Sequence, residues 1–584
     1  MTRTAPLRRL RAATMLAAGL AAAALSLVWS AAGARTFDDA KRSYDRALEK
    51  LVKGKGPSDP IAAAALAVMV DGELVYAGAA GCAEFEPKRH QPCRRAFSPE
   101  TKFRVASISK MALALGVRRL VEDGKIDLDR DASDYLGWPL RNPAFPERPI
   151  TTRQLLSHLS SIRDPEEYWV DAPGSFRTLF DRPTQPFAAP ESDADVGPGA
   201  WFKYANLNYG VLAGVIEGAS RERFDRFMSE RVFKPAGLDI GYNWSGVDPS
   251  ARRAGAVLYV RDGKAWTAVV DSPSILGADS PVIRAASGVD KDDYLARYRP
   301  GDNPTLFAPQ GGLRASVVDL VRLVSLVKDK AALTAPAWRF DPARPNGDSE
   351  DGYYGAFGLG VQSVPGDAAL LGRRDLIGHP GEAYGVYSGA WAAKRGGADG
   401  ARHDIVFAFA ATGVSDATPK GVHPTFNAVE ERLVRLALKA AEDHAAQRAA
   451  AEPRPFDAEA DAMRDVEAAL AAARASGKNV LLVLGANWCH DSRGLAAKFR
   501  TPALAAIVED GFHLVWVDVG QRDRNLDVAA RFGVEKLIGT PTILVLSPDG
   551  ALLNADSVHE WTTADSRPVE AAIRYFGALA GRRD

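Results

Sequence analysis

Two residues near the start of a predicted helix have the types and the spacing needed for covalent catalysis. Ser107 and Lys110 are three positions apart where an apolar helical pattern begins, so their side chains project from one face. A serine hydroxyl needs a nearby base to act as a nucleophile, and a lysine becomes a base when burial and the positive end of a helix favour its neutral form. Because Ser-x-x-Lys also occurs by chance at solvated helix starts, the pair alone leaves both interpretations open.

Two further motifs follow in the chain. Tyr204-Ala205-Asn206 begins a helical segment, and His379-Pro380-Gly381 lies directly before a strand-like segment. Taken alone, the first motif would be a packed aromatic residue and a helix cap. Together with Ser107 and Lys110, the motifs make the sequence resemble the superfamily of serine beta-lactamases, DD-peptidases and family VIII esterases, whose ordered motifs are Ser-x-x-Lys, Tyr-x-Asn and Lys/His-x-Gly.

This resemblance implies a role for each motif residue. Ser107 would form the acyl-enzyme, Lys110 would take its proton, and Tyr204 would relay that proton to the leaving group. Asn206 would position Lys110 and the acyl side of the substrate, and the backbone N–H groups of Ser107 and Glu382 would form the oxyanion hole. A nearby cationic lysine and the helix end would lower the pKa of Tyr204 toward tyrosinate, so the sequence leaves open whether Lys110 or Tyr204 is the base.

The third motif departs from the beta-lactamase pattern in a way that bears on the substrate. His379 stands where beta-lactamases usually carry lysine, and Pro380 replaces the threonine or serine whose hydroxyl helps to hold a substrate carboxylate, while Gly381 is retained. A histidine is a less reliable cation at neutral pH than a lysine. We therefore expect an ester, an amide or a small peptide as substrate rather than efficient beta-lactam hydrolysis. His158, in a helix-to-loop turn, is predicted to be structural.

The surrounding elements predict an α+β domain of the beta-lactamase/transpeptidase-like class over residues 37–446. A helix over Phe37–Val52 precedes two apolar segments joined at Asp71-Gly72, which is a strong hairpin signal. Strands over Val386–Ala393 and Ile405–Thr412 and a helix from Thr425 to about Ala446 close the region. Strands at both ends with helices between them predict that the first and last strands share one sheet.

A linker over residues 447–456 is predicted to lead into an α/β thioredoxin-like domain over residues 457–584. In this part of the chain strands and helices alternate, and Cys489 lies between an apolar strand and a helix. With Gly539-Thr540-Pro541-Thr542 before a later strand, the segment resembles thioredoxin, in which the Thr-Pro bond is cis and faces the active cysteine. A cysteine at a helix N-terminus favours a reactive thiolate.

Two substitutions limit the redox chemistry that this resemblance implies. Ser492 replaces the second cysteine of Cys-x-x-Cys, and Val483 occupies the position of the buried acid six residues before Cys489. A resolving thiol is therefore missing, so Cys489 is expected to act only as a monothiol toward a thiol partner. A domain that serves only for binding or packing remains the alternative.

The N-terminal residues and the cysteine count predict export. Arginines precede an apolar run that ends in Ala32-Gly33-Ala34, which is typical of a secretory signal peptide over residues 1–34 and of a periplasmic or secreted protein; an uncleaved leader would be a membrane anchor. Of three cysteines, Cys82 and Cys93 fit one disulfide in an oxidising compartment.

Charge and motif composition narrow the partners and the functional classes. Equal numbers of basic and acidic residues, 73 each, give no electrostatic footprint for nucleic acid, and no metal-ligand spacing or phosphate-binding loop is apparent. We thus expect a small-molecule or peptide substrate and no cofactor. The leading hypothesis is an exported serine hydrolase; the alternatives are a non-catalytic peptidoglycan-binding or sensor protein and a redox protein that acts through Cys489.

Overall fold

A computed structural model describes residues 40–54, 60–87, 91–181, 186–189, 195–262, 265–278, 280–367, 369–372, 374–395, 403–451 and 453–581. The predicted leader, residues 1–34, lies outside these residues. The described chain divides into two compact units, residues up to His444 and residues from Ala445 onward. Among the described helices, none has the length and apolar character needed to cross a membrane.

The strands of the first unit form one large sheet and several small ones. A nine-stranded sheet has the order β3-β2-β1-β14-β13-β12-β11-β10-β9. The strands of this unit are β1 Ala63–Val70, β2 Glu73–Phe85, β3 Cys93–Ala96, β4 Phe103–Arg104, β5 Gly241–Tyr242, β6 Leu258–Asp262, β7 Ala265–Val270, β8 Leu313–Ala315, β9 Trp338–Arg339, β10 Ala356–Phe357, β11 Gln362–Val364, β12 Arg374–Ala383, β13 Val386–Arg395 and β14 Ile405–Thr412. Because β1 pairs with β14, the prediction that the first and last strands share a sheet is confirmed.

Helices cover both faces of this sheet. They are α1 over 40–52, α2 Ile108–Glu122, α3 Ser133–Leu136, α4 Thr152–Leu156, α5 Leu207–Ser220, α6 Phe224–Phe227, α7 Pro249–Arg253, α8 Pro273–Leu276, α9 Lys291–Arg297, α10 Val317–Val327, α11 Ala331–Thr334 and α12 Ala428–Ala451. Strand residues alternate between two cores: Ala65 and Ala67 face the core that contains α2, α5 and α10, whereas Leu66 and Val68 face the core that contains α1 and α12. The small alanines of β1 let the helices of the first core approach the sheet closely.

The helix that was predicted to end near Ala446 continues to Ala451, so the first residues of the predicted linker are helical. Alanine has the highest helix propensity, which explains why the alanine-rich stretch prolongs α12 instead of interrupting it.

The second unit is a small α/β domain. It contains α13 Ala462–Ser476, β15 Asn479–Gly485, α14 His490–Lys498, α15 Pro502–Gly511, β16 Phe512–Asp518, α16 Leu526–Arg531, β17 Thr542–Leu546 and α17 Val569–Ala580. Its three-stranded sheet has the order β16-β15-β17, with β15 parallel to β16 and antiparallel to β17. Helix α15 was not predicted. It begins at Pro502, a residue favoured in the first helical turn because its fixed φ suits that position.

Candidate active site

Ser107 occupies the N-cap position of α2, a 15-residue helix. The preceding Ala106 has a φ of 49°, a left-handed conformation that is costly for a residue with a Cβ. Ser109 supports this turn, because its Oγ donates to the carbonyl of Ala106 at 2.6 Å and accepts from the N–H of Leu313 at 3.0 Å. The sharp turn from β4 into α2 therefore places the Ser107 hydroxyl at the positive end of a helix dipole.

Lys110 has contacts that suit a neutral amine. It is fully buried, and its Nζ lies 2.9 Å from Ser107 Oγ, 2.8 Å from Asn206 Oδ1 and 2.9 Å from the Gln310 carbonyl oxygen. The two carbonyl oxygens can only accept, so they take the two N–H bonds of a neutral amine and leave its lone pair for the hydroxyl of Ser107. Burial lowers the pKa of Lys110 to about 7, against the opposing effect of the Asp164 carboxylate.

Asp164 fixes the orientation of Asn206. Its Oδ2 accepts from the backbone N–H and from Nδ2 of Asn206, at 2.8 and 2.9 Å, and its Oδ1 accepts from the N–H of Leu207 at 2.8 Å. With its amide nitrogen held in this way, Asn206 must present Oδ1 to Lys110. Asp164 was not predicted, since its carboxylate reaches the second motif from a loop 42 residues away and no spacing rule connects them.

Tyr204 is partly buried in an aromatic environment beside Ser107. Its ring stacks on His158 with centroids 4.3 Å apart and on Tyr354 at 5.1 Å, and Lys110 Nζ lies 4.8 Å from its centroid. Burial raises the pKa of Tyr204 well above its usual range, while a hydrogen bond with Ser107 acts in the opposite direction. The expectation of a tyrosinate is therefore wrong: the lysine that was to stabilise the phenolate is itself poised near neutrality, and burial penalises the anion.

His158 has the contacts of a packing residue. It follows α4 with a φ of 59°, and its Nδ1 accepts from the N–H of Ala205 at 3.1 Å. Burial holds the pKa of His158 well below its usual range, so the ring is neutral. It supports the Tyr204 ring from behind, which agrees with its predicted structural role.

His379 lies on β12 and is 1% exposed. Burial, reinforced by Lys110 when its amine is protonated, lowers the pKa of His379 to about 3. Its Nδ1 lies 2.6 Å from the Pro380 carbonyl oxygen, which can only accept, so Nδ1 carries the proton of a neutral ring. The third motif thus offers neither a cation nor a hydroxyl to a substrate carboxylate.

Gly381 allows β12 to pass very close to the segment that precedes Ser107. A Cβ at Gly381 would lie 2.3 Å from the Val105 carbonyl oxygen and 2.4 Å from Ser388 Oγ. Ser388 Oγ in turn donates to the Val105 carbonyl at 3.1 Å and so ties β13 to the same segment. The absence of a side chain at Gly381 is therefore what brings the end of β12 to Ser107.

The backbone N–H of Glu382 is oriented away from β13. Ala383 pairs with Val386 across the two-residue turn at Tyr384 and Gly385, so Glu382 forms the next, non-hydrogen-bonded pair with Tyr387. On its other side, β11 pairs only with Leu376–Gly378 of β12 and ends before Glu382. The N–H of Glu382 is consequently not used in the pairing of β12 with β11 or β13.

These residues open onto one cleft of about 1350 Å³. The predicted residues that line it are Ser107, Tyr204, Asn206, His379 and Glu382, whereas Lys110 lies beneath its floor. The structure therefore brings a serine hydroxyl, a poised amine and a neutral phenol together beside a cavity large enough for a small peptide or ester.

Cys82 and Cys93, which join β2 to β3 in this unit, form a disulfide, and Cys489 is free. Cys489 occupies the N-cap position of α14, and its Sγ donates to the Thr540 carbonyl at 3.2 Å, next to the cis peptide bond of Pro541. The thiol therefore faces the Thr-Pro turn, as the thioredoxin resemblance predicts.

The residues around Cys489 bear on its chemistry. Ser492 is fully buried, and Val483 packs in the core of β15. Ligand atoms of Cys489, His490 and Asp491 lie within 4.8 Å of one another, a group that no metal-ligand spacing in the sequence predicts because the three residues are consecutive.

Both units match known protein families. A family described as Beta-lactamase matches residues 45–430, and one described as Thioredoxin-like matches residues 461–548. The serine beta-lactamase-like mitochondrial protein LACTB of Bos taurus is 39% identical over 107 residues, which cover 17% of each chain. The D-aminopeptidase of Brucella anthropi is 28% identical over 210 residues, 35% of each chain. Alignments with the first curated relatives span between 17% and 39% of those proteins.

Two solved structures represent the structural neighbours. The D-amino acid amidase from Ochrobactrum anthropi SV3 has a TM-score of 0.46 at 18% identity and covers 70% of this chain and 99% of its own. A disulphide isomerase from Xylella fastidiosa has a TM-score of 0.21 at 33% identity, over 22% of this chain and 97% of its own.

Proposed function

Because the chain belongs to the beta-lactamase family and carries a C-terminal thioredoxin-like domain, we propose that it is an exported serine hydrolase that cleaves an ester or amide through an acyl-enzyme on Ser107. The observation that carries this proposal is the contact set of Lys110, whose amine reaches Ser107 Oγ at 2.9 Å while two carbonyl oxygens occupy its N–H bonds. A serine with a neutral amine at this distance is an activated nucleophile.

In the proposed reaction, the same residues act first in the acylation of Ser107 and then in deacylation. Neutral Lys110 takes the proton of Ser107 as Oγ attacks the substrate carbonyl, and the N–H groups of Ser107 and Glu382 stabilise the oxyanion. The neutral Tyr204 hydroxyl accepts a proton from the protonated Lys110 amine and donates its own proton to the leaving alcohol or amine. Water then attacks the ester carbonyl of the acyl-enzyme by the reverse proton path and regenerates Ser107.

Export is part of the proposal and is supported by two features. The leader pattern of residues 1–34 is typical of a secretory signal, and the disulfide between Cys82 and Cys93 suits an oxidising compartment. Fractionation of cells that produce the tagged full chain should place the mature protein outside the cytoplasm.

A substrate panel tests the hydrolase itself. Purified protein should release product from at least one of a p-nitrophenyl ester, nitrocefin and a D-alanyl peptide, with nitrocefin the poorest, and Ser107→Ala should abolish that release while unfolding at the wild-type temperature. A folded wild type that turns over no member of the panel and resists a fluorophosphonate probe would count against the proposal and in favour of a binding or sensor protein.

The pH dependence follows from Lys110. A base with a pKa of about 7 is protonated at lower pH, so kcat/KM should rise with pH through about 7 and then level off. Two pH units below that midpoint, the rate should be roughly 100-fold lower. Measurement of kcat/KM for a neutral ester across this range checks the prediction.

Asp164 provides the control for that profile. Its carboxylate raises the pKa of Lys110, so Asp164→Asn should move the rising limb to lower pH. If the rising part of the plot of kcat/KM against pH did not shift in Asp164→Asn, the base would be a group other than Lys110. The same conclusion would follow if kcat/KM of the wild type did not vary around neutral pH.

The position of Cys489 favours a second, separate activity for the thioredoxin-like domain. Its thiolate can attack glutathione disulfide, so that an S–S bond to Cys489 forms and one glutathione thiolate leaves. Because Ser492 cannot resolve the mixed disulfide, one glutathionyl group per chain should accumulate in the wild type and none in Cys489→Ser, as measured by intact mass.

Ser492→Cys is the matched variant, because it restores the resolving thiol and should release glutathione instead of retaining it. Multiple turnovers in insulin reduction by the wild type would contradict a monothiol. If Cys489→Ser abolished the activities of the chain while Ser107→Ala did not, the redox protein would replace the hydrolase as the main function.

A further inference from the structure

Arg104 places a guanidinium in the same cleft as the nucleophile. It is the last residue of β4, three positions before Ser107, and it lines the cavity. Its Nε donates to the Gly311 carbonyl at 2.8 Å, and its Cζ lies 4.9 Å from the ring centroid of Tyr384. One backbone carbonyl and one aromatic ring therefore fix the side chain, and they use only one of its five N–H bonds.

The remaining N–H bonds of Arg104 meet no carboxylate of the described residues. Each of the other arginine and lysine side chains that line the cleft lies within 4.0 Å of a carboxylate. The pairs are Arg284 with Asp171, Arg314 with Asp271 and Lys420 with Asp351. The Arg314–Asp271 pair is bidentate, with distances of 2.6 and 2.8 Å, and both side chains are 1% exposed. Asp271, the carboxylate that acts on Arg104, is thus already engaged by another guanidinium.

The surroundings of Arg104 make its charge costly. Burial, with Arg314 nearby, lowers the pKa of Arg104, although a guanidinium stays protonated in proteins. A partly buried cation with no carboxylate beside it is stabilised when an anion binds, and a guanidinium can bind a carboxylate through two parallel hydrogen bonds. The half-exposed ring of Tyr384 leaves such an approach open from the cleft.

We propose that Arg104 binds a carboxylate of the substrate, so that the preferred substrates are anionic esters, amides or peptides. This inference rests on the proposed function and deepens it. It also relocates the anion site: neutral His379 and Pro380 cannot hold a carboxylate at the third motif, whereas Arg104 offers a fixed cation three residues before the nucleophile. The charge of the substrate, not its size, then decides which ester is cleaved fastest.

Two pairs of esters test this inference. The first compares the p-nitrophenyl half-ester of adipic acid with p-nitrophenyl heptanoate, which has a similar length and no charge. The second compares carboxy-p-nitrophenyl butyrate with p-nitrophenyl butyrate and so places the carboxylate on the leaving group. The wild type should prefer the anion in at least one pair, and Arg104→Gln should reduce that ratio of kcat/KM by about 10- to 100-fold, the range for a lost charge-assisted hydrogen bond.

Two matched variants test whether the preference for anionic esters depends on Arg104 itself. Arg104→Lys should retain part of the ratio, and Arg284→Gln, which removes a cation already paired with Asp171, should keep the ratio within about twofold. If Arg104→Gln kept the wild-type ratio of kcat/KM between the anionic and the neutral ester in both pairs, the inference would be overturned. The hydrolase proposal would be unaffected.

A binding measurement keeps the inference testable without turnover. Adipate should raise the unfolding temperature of Ser107→Ala and should not raise that of Arg104→Gln, since the dicarboxylate needs the guanidinium but not the nucleophile. If none of the four esters were hydrolysed but adipate still stabilised Ser107→Ala and not Arg104→Gln, the hydrolase function would be rejected and the role of Arg104 would stand. Equal stabilisation of both variants would reject the role of Arg104.

Discussion

Replacing Lys110 with methionine is expected to lower kcat/KM by about 10²- to 10⁴-fold, the range that a positioned general base contributes. Methionine fills much of the same buried volume but offers no lone pair to Ser107 Oγ, which lies 2.9 Å from Nζ in the wild type. The measurement is the steady-state rate with the best ester of the panel, together with thermal unfolding to show that the variant is folded.

The matched control is Lys125→Met, which replaces an exposed lysine three residues after the end of α2 and should stay within about twofold of the wild-type rate. Retention of more than about a tenth of the activity by Lys110→Met would show that another group is the base. Tyr204 would then be the first candidate, although burial disfavours its anion.

Gly381→Ala is expected to lower kcat by about 10²- to 10³-fold, which is the usual cost of one lost oxyanion donor. Its Cβ would lie 2.3 Å from the carbonyl oxygen of Val105, and a backbone atom cannot rotate away. The end of β12 must therefore move from Ser107, and the N–H of Glu382 moves with it.

Two variants sharpen this test. Gly277→Ala, in a helix-end position where an added Cβ meets only one atom at 4.0 Å, should have nearly wild-type activity. Adding Ser388→Ala to Gly381→Ala removes the contact with Ser388 Oγ but not the one with the Val105 carbonyl, so activity should remain low. Recovery in the double variant would show that the hydroxyl, rather than the backbone approach, requires glycine.

The sequence predicted the residues whose identities carry chemistry, because their order along the chain is itself informative. Ser107, Lys110, Tyr204 and Asn206 are brought together beside one cleft, and the pairing of β1 with β14 was expected from strand patterns at both ends of the region. What the sequence predicted least well depends on packing between distant segments. Asp164 reaches Asn206 from a loop, and the neutral state of His379 results from burial that no local pattern encodes.

The error over Tyr204 has the same origin. A cationic lysine expected beside Tyr204 suggests a stabilised phenolate. The folded site instead surrounds the tyrosine with the rings of His158 and Tyr354 and buries Lys110, which lowers the pKa of its amine to about 7. Electrostatics at this site are therefore set by desolvation, which depends on every packed neighbour, more than by the pair itself.

The central claim is that Ser107 carries a covalent acyl intermediate, and peptide mapping by mass spectrometry after reaction with a fluorophosphonate or a slowly released ester tests it most directly. We expect one adduct, on the peptide that contains Ser107, with none in Ser107→Ala and slow formation in Lys110→Met. An active wild-type protein whose adduct maps to any other residue would contradict the account.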